Sequence, residues 1–303
     1  MKLVMAGGTG SLGRRVAADF RRRGFEVVVL TRSPRPDLDL RQVVWDGRTV
    51  GAWAAELEGA IVLNLAGELV DRRPTPKNIE LLRRSRVEPT QALVEASRTL
   101  SSPPALWLQM STLAIYGDAG EDVVDEDHPP AAGPPQMAGV ARAWEHAVEG
   151  AKAERLVVLR TGIVLDTGTP AFERLAKLTR FGLGGRVGSG GQWISWLHID
   201  DFSSAVRFVT EASSLEGVVH VTSPNPVRNE QLMATLRSRM RRPWSPPTPT
   251  PLVHVGAWLM RTDPALALTG RRCIPRRLQE AGFEFRHPEL DEAIAALLVP
   301  TTP

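Results

Sequence analysis

Short unbroken apolar runs alternate, along the first half of the chain, with longer stretches in which apolar residues recur every three or four positions. The runs "MKLVMA", "FEVVVLT", "QVVW", "AIVLNLAG", "ALWLQMS" and "RLVVLRTG" each predict a strand. Between the first two, "SLGRRVAADFRRRG" carries Leu12, Val16 and Phe20 on one face and stops at Gly24, the pattern of an amphipathic helix. A short helix is expected over "GAWAAELE", a long one from about 78 to 100, and a third from about 139 to 153. A strand with one wet face alternates apolar and polar residues. These strands do not alternate, so both of their faces are covered. The pattern predicts an α/β fold: a doubly wound parallel sheet of Rossmann type with helices on both sides. After Gly162 the rhythm changes. "GLGGRVGSGG" and "RRPWSPPTPTP" separate helical pieces near 201–212, 229–240 and 290–298, while "GVVHVTS" is expected to return as a further strand of the sheet. The chain therefore reads as a single domain, 1–303, with a smaller C-terminal subdomain over one edge.

The junction of the first strand and first helix carries chemistry. In "AGGTGSLG", Gly7, Gly10 and Gly13 have a G-x-x-G-x-x-G spacing. The first glycine makes a tight turn, the second lets backbone approach a pyrophosphate, and the third packs helix on strand. The free N–H groups and positive dipole end of the helix favour the anion. The end of the second strand selects the cofactor. An acid there would hold a ribose 2′-hydroxyl, as in NAD binders. This chain has "VVVLTRSP" instead. Thr31, Arg32 and Ser33 offer a guanidinium and two hydroxyls, which suit a 2′-phosphate, so NADP is expected over NAD.

Composition narrows the rest. The 303 residues are 43% hydrophobic and 23% charged, with a net charge of +3, ordinary for a chain with a sizeable core. No apolar run is long enough to span a bilayer, and "MKLVMAGG" turns to glycine too early for a secretory signal. Without a spanning run no membrane is expected as a partner, and no basic run is interleaved with aromatics, so no nucleic acid is expected either. One cysteine, Cys273, allows no internal disulfide or cysteine metal cluster and fits the cytoplasm. Glu126, Asp127 and His128 lack metal-ligand spacing, and no metal is expected. His198, Asp200 and Asp201 read as a strand end and helix cap. Glu68 and Asp71 follow the fourth strand, on the side where such sheets bind ligands; Glu68 is a candidate general base, and Asp71 is expected to pair with Arg72 or Arg73.

Six stretches taken together, "AGGTGSLG", "LNLAGE", "SRVEPTQALVEA", "STLAIYGD", "LRTGIVL" and "GSGGQWISWLHIDD", resemble the extended and atypical short-chain dehydrogenase/reductases. The epimerase-like branch, often labelled nucleoside-diphosphate-sugar epimerases without a proven substrate, is the nearest in pattern. The resemblance runs over essentially the whole chain. It implies a cofactor-binding part of about 1–165 plus about 196–222 and a substrate-binding part of about 166–195 and 223–303. It implies that Gly7, Gly10, Ser11, Leu12 and Gly13 hold the pyrophosphate and that Thr31 and Arg32 face the adenosine 2′-phosphate, with Asp46 towards the adenine. Leu65, Ala66 and Gly67 would line the nicotinamide ribose, and Gly162, Ile163 and Val164 would lie near the nicotinamide. Thr112 stands where the family puts a Ser or Thr that binds a substrate oxygen.

Two departures shape the functional expectation. The family's Tyr-x-x-x-Lys pair falls at or beside Met137 and Ala141, neither of which can move a proton. The only tyrosine, Tyr116, lies in the "YG" that closes the fifth-strand segment and is expected to pack rather than to catalyse, although it is one place a displaced acid could sit. Gln192 is followed by Trp193 and Ile194, without the arginine that grips a diphosphate in nucleotide-sugar enzymes. Leu113, Met137, Trp193 and Trp196 suggest an apolar, aromatic-lined pocket, with ordinary core packing as the competing reading of the tryptophans. The expectation is an NADP(H)-dependent oxidoreductase or epimerase-like enzyme for a small, rather apolar carbonyl or hydroxyl compound, acting as monomer or homodimer through Thr112, Glu68 or Tyr116. The alternatives are a non-redox isomerase, cyclase or lyase that keeps NADP as scaffold, and a non-catalytic NADP-binding sensor or interaction protein.

Overall fold

A computed structural model describes residues 1–242 and 244–298. In chain order the strands are β1 (Lys2–Ala6), β2 (Glu26–Thr31), β3 (Arg41–Val44), β4 (Ile61–Asn64), β5 (Leu106–Thr112), β6 (Val123–Val124), β7 (Leu156–Thr161), β8 (Ile163–Leu165), β9 (Trp193–Ile194), β10 (Trp196–His198), β11 (Gly217–Val221), β12 (Val227–Arg228) and β13 (Arg272–Cys273). The α-helices are α1 (Ser11–Arg22), α2 (Pro76–Thr99), α3 (Val140–His146), α4 (Pro170–Arg180), α5 (Ile199–Glu211), α6 (Asn229–Arg239), α7 (Thr250–Leu259), α8 (Ala265–Leu268), α9 (Arg276–Glu280) and α10 (Leu290–Leu298). Among the described residues no helix is long and apolar enough to cross a membrane.

Seven strands make one parallel sheet in the order β11-β7-β5-β4-β1-β2-β3. From β1 the chain winds outwards through β2 to β3, then returns to β4 on the other side of β1 and winds outwards again. The direction of winding reverses between β1 and β4, and a crevice opens there at the carboxyl ends of the strands. This is the Rossmann-type arrangement expected from the sequence.

The side-chain period explains the unbroken apolar strands. Leu3 and Met5 of β1 point to the face covered by Val16 and Phe20 of α1, while Val4 and Ala6 point to the opposite face with Leu93 and Val94 of α2. Successive residues of a strand face opposite ways, so burying both faces leaves no position free to be polar. α1 packs beside α5 on one side, and α2 beside α3 on the other.

Helix boundaries follow local chemistry. Thr75 caps α2 by accepting the Asn78 N–H at 3.3 Å, and Pro76 occupies the first turn, where no intrahelical N–H is needed. The expected helix at about 139–153 is shorter and starts earlier. A π-helical turn, Pro135–Gly139, leads into α3, which stops at His146. β11 returns beside β7 as expected. The pairs β8–β10, β9–β12 and β6–β13 and the helices α4, α7, α8 and α9 are absent from the sequence reading. The strands in those pairs have two or three residues each, too few to show a period, and α4 begins on Pro170 and α7 just after Pro249, in a proline- and glycine-rich region.

Trp196 corrects one expectation. It is fully buried, in one core with Phe172 and Phe202, and its indole N–H donates to the Asn225 carbonyl at 2.9 Å. It lines no substrate pocket. The aromatic pattern at 193–196 does not distinguish the two roles, because Trp193 and Trp196 belong to different short strands, β9 and β10. Trp196→Ala is therefore expected to lower the free energy of unfolding by about 3–5 kcal/mol, the cost of emptying a large core site. Chemical denaturation checks this; a loss under about 1 kcal/mol would mean that the site is not close-packed.

Candidate functional site

The loop from Gly7 to Gly13 lies in the crevice between β1 and β4. Gly7 has φ +79°, and a β-carbon there would sit 2.7 Å from the Leu65 carbonyl oxygen. A β-carbon on Gly13 would sit 2.6 Å from the Gly8 α-carbon. Gly10 is different: a β-carbon there would meet only the Gly7 oxygen, at 3.5 Å, so the space above it is open. Gly10 is the N-cap of α1 and offers no side-chain acceptor to the first-turn N–H groups at Ser11, Leu12 and Gly13. A bare helix N-terminus facing open space, with no acid in its first turn, fits a pyrophosphate.

At the end of β2, Thr31 is buried and its hydroxyl donates to the Ser33 carbonyl and accepts the Ser33 N–H. The hydroxyl shapes the turn and is not free for a 2′-phosphate. Ser33 and Arg32 are exposed, and the Arg32 guanidinium has no hydrogen-bond partner among the described residues. Asp46 also differs from expectation. Its carboxylate accepts from the N–H groups of Thr49 and Arg48 and from the Thr49 hydroxyl, which hold its pKa down at about 2. It is turned onto its own loop, as short acids in turns often are.

On the β4 side, Leu65 N–H donates to the Ala6 carbonyl and Ala66 N–H to the Asn64 side chain. Arg86 reaches from α2 under Gly67. It donates to the Glu68 carbonyl at 2.9 Å and lies 5.0 Å from the Trp144 ring, and burial lowers its pKa to about 10. The sequence places Arg86 among the apolar positions of the long helix, a signal that went unused. Glu68 pairs with Arg72 at 2.9 Å. Asp71 is held by Arg174 and Thr262, not by Arg72 or Arg73; the loop after β4 reaches across to α4. Gln136, in the π-helical turn, donates to the Val70 and Arg72 carbonyls and fastens the same loop from the other side.

The carboxyl end of β5 positions Thr112. Its oxygen accepts the Ala114 N–H at 3.1 Å, capping a 3-10 turn over Leu113–Tyr116, and its hydroxyl hydrogen remains free to donate. Beyond β7, Gly162 N–H donates to the Val221 carbonyl and Ile163 N–H to the Ser195 carbonyl, while the Ile163 side chain is exposed and Val164 buried. Leu113 is 2% exposed, in a small core with Ile115, Tyr116, Val124, Ala141 and Cys273, so it too is a packing residue and not a pocket wall. Met137 is nearly buried. Trp193 has the Arg228 and Arg272 guanidinia 4.5 and 4.6 Å from its ring and its N–H on Glu121. Its ring is taken by cations, away from an apolar pocket. His198 caps α5 by accepting the Asp200 N–H on Nδ1, and Asp201 accepts the N–H groups of Arg286 and His287.

Tyr116 belongs to a buried row of polar groups that the sequence pattern did not reveal. Ser111, Arg160 and His220 are in register across β5, β7 and β11. Arg160 grips Glu145 with two bonds of 2.8 and 2.9 Å and donates to the Tyr116 oxygen at 2.7 Å. His220 Nδ1 lies 3.0 Å from the Ile274 carbonyl, which can only accept, so Nε2 is the acceptor for the Tyr116 O–H at 2.6 Å. Burial pushes the phenol pKa upwards and that of His220 down to about 3.

His220 kept neutral gives a pH test. The unfolded ring binds a proton near its ordinary 6.5 and the native ring does not until about 3, so this contribution to stability is complete above pH 6.5 and is lost as pH falls towards 3. Between about pH 6.5 and 5.5, where carboxylates scarcely titrate, urea midpoints of the native protein should fall with pH more steeply than those of His220→Gln. Parallel slopes would show that His220 titrates alike in both states.

The profile of the NAD dependent epimerase/dehydratase family matches residues 3–156, and that of a domain of unknown function, DUF1731, matches residues 248–297. The epimerase family protein SDR39U1 of Bos taurus is 30% identical over 98% of this chain and 100% of its own length. The epimerase family protein YfhF of Bacillus subtilis is 28% identical over 98% of each. The crystal structure of human SDR39U1 (isoform 2) with NADPH has a TM-score of 0.87 at 29% identity and covers 98% of this chain and 99% of that one.

Proposed function

The chain belongs to the NAD dependent epimerase/dehydratase family, and from that footing we propose that it is an NADP(H)-dependent oxidoreductase or epimerase-like enzyme acting on a small, rather apolar carbonyl or hydroxyl compound. The observation that carries the reading is the bare cradle at Gly7–Gly13 with an unpaired Arg32 and no acid at the end of β2. The human relative crystallised with NADPH supports the choice of cofactor. Residues of about 1–165 and 196–222 make the cofactor part and the remainder the substrate part. A single buried thiol, Cys273, with its pKa pushed up to about 12, fits a reducing cytoplasm.

The nicotinamide would supply hydride chemistry; the chain positions and polarises. Ser11, Leu12 and Gly13 would donate N–H groups to the pyrophosphate, and Arg32 with Ser33 would meet the 2′-phosphate. Leu65, Ala66, Gly67, Gly162, Ile163 and Val164 would border the nicotinamide ribose and ring. Thr112 has a hydrogen left to donate to a substrate oxygen. Tyr116 has its phenol bound inside the protein to Arg160 and His220, which supports packing over proton transfer. Glu68, half-exposed and paired only with Arg72, is the better candidate base. Met137 and Ala141 stand in place of the usual acid and its lysine, and that favours a second reading, a non-redox isomerase, cyclase or lyase with the cofactor as scaffold. Loss of nicotinamide absorbance in step with product distinguishes the first reading from the second.

Binding decides the cofactor before any substrate is known. Titration of nicotinamide fluorescence should show NADPH bound more tightly than NADH, and Arg32→Ala should weaken NADPH alone by about tenfold or more, the effect of one charge-assisted contact. Equal affinities that the substitution leaves unchanged would overturn the assignment.

A further inference from the structure

Helix α7 is apolar apart from Thr250 and His254, yet Ala257 is its only buried residue. A helix of that composition is ordinarily buried. Here Leu252, Trp258 and Leu259 are 58%, 64% and 66% exposed. Phe181, Leu183 and Trp244 are exposed as well. The segments that carry them adjoin. The Ser245 hydroxyl donates to the Gly182 carbonyl at 2.6 Å, and Val187 bridges to Thr248 just before α7. At the far end of α7, Arg73 donates to the Trp258 carbonyl and its guanidinium lies 5.4 Å from the Trp258 ring, which joins the face to the loop after β4.

Charge around this face is mainly positive, although Glu230 lines the hollow beside Ser245 and Pro247. Neither 174–199 nor 231–262 contains an acidic residue. Lys177, Arg180, Arg241, Arg242 and Arg261 are exposed, and none of them forms a salt bridge among the described residues. Elsewhere the surface arginines are mostly paired, as Arg41, Arg83 and Arg276 are. An apolar face with an excess of unpaired cations beside it is complementary to a surface that is apolar within and anionic at its rim.

We propose that this face docks on an anionic lipid bilayer, with α7 lying in the plane of the interface. The outer side chains of α7, with Phe181, Leu183 and Trp244, enter the boundary between headgroups and acyl chains, where tryptophan is favoured. The five cations meet the lipid phosphates. The expectation of no membrane partner rested on the lack of a spanning run, and a helix that lies on a bilayer needs none. Docking would turn the loop after β4, with the exposed Leu69 beside Glu68, towards the lipid.

The test is co-sedimentation of the full chain with phosphatidylcholine vesicles, with and without phosphatidylglycerol. Pelleting with phosphatidylglycerol vesicles only, reduced at high salt, is expected. Trp258→Ser with Leu259→Ser, and separately Arg241→Gln with Arg242→Gln, should each weaken partition by about tenfold or more while circular dichroism stays unchanged. Failure to pellet with phosphatidylglycerol vesicles would overturn the proposal, as would partition indifferent to both pairs of substitutions. A dimer in sedimentation velocity that Trp258→Ser with Leu259→Ser dissociates would overturn it too, because a second copy would then cover the face.

Discussion

The backbone at Gly7 lies against Leu65 because no β-carbon stands in the gap, and α1 comes down close over the loop because Gly13 meets Gly8 in the same way. Everything at the carboxyl edge of the sheet depends on this approach. It draws the start of α1 into the crevice between β1 and β4, where the winding reverses and no crossover helix blocks access. It also leaves the first-turn N–H groups of α1 directed at open space over Gly10. A methyl group at either close contact would push helix or strand outwards and close the crevice before any ligand arrived.

The second constraint is polar and buried. Asn64 donates to Thr90 and Gln109 beneath the loop after β4. Further along the same edge, Glu145, Arg160, Tyr116 and His220 form a continuous chain of bonds ending on the Ile274 carbonyl. An unpaired member of such a chain would cost more than the bond itself contributes, so the arrangement fixes one geometry of β5, β7 and β11 and of the turn after β5. Thr112 sits on that turn. The chain thus holds the turn that carries Thr112 in one geometry, while Met137 and Ala141 at the neighbouring helix start have no group that transfers a proton.

Much of the fold was legible because burial on two faces writes itself into sequence as unbroken apolar strands. The glycine-rich loop was legible for a related reason: Gly7 and Gly13 are forced by backbone geometry, and geometry of that kind needs specific residues at specific spacings, whereas the fold itself leaves room for a side chain at Gly10. The rest was not, for physical reasons. Strands of two residues have no period. Trp196 and Leu113 look alike whether they line a pocket or fill a core, since an apolar wall and an apolar interior select the same side chains. Thr31 and Asp46 had the right chemistry for a ligand but spend it on their own turns, which depends on rotamers and not on residue type. The link between Tyr116 and His220 joins residues 104 positions apart, and only the sheet register brings them together.

The bare N-terminus of α1 and the open space above Gly10 would together seat a dinucleotide pyrophosphate. Calorimetric titration of NADPH into the native protein and into Gly10→Val tests it most directly, with circular dichroism to show that the variant is folded. Binding by the first and none by the second is expected, because a branched side chain at Gly10 occupies the space the phosphates would need while touching nothing that holds the fold together. Equal binding by both would contradict it and would place the cofactor elsewhere.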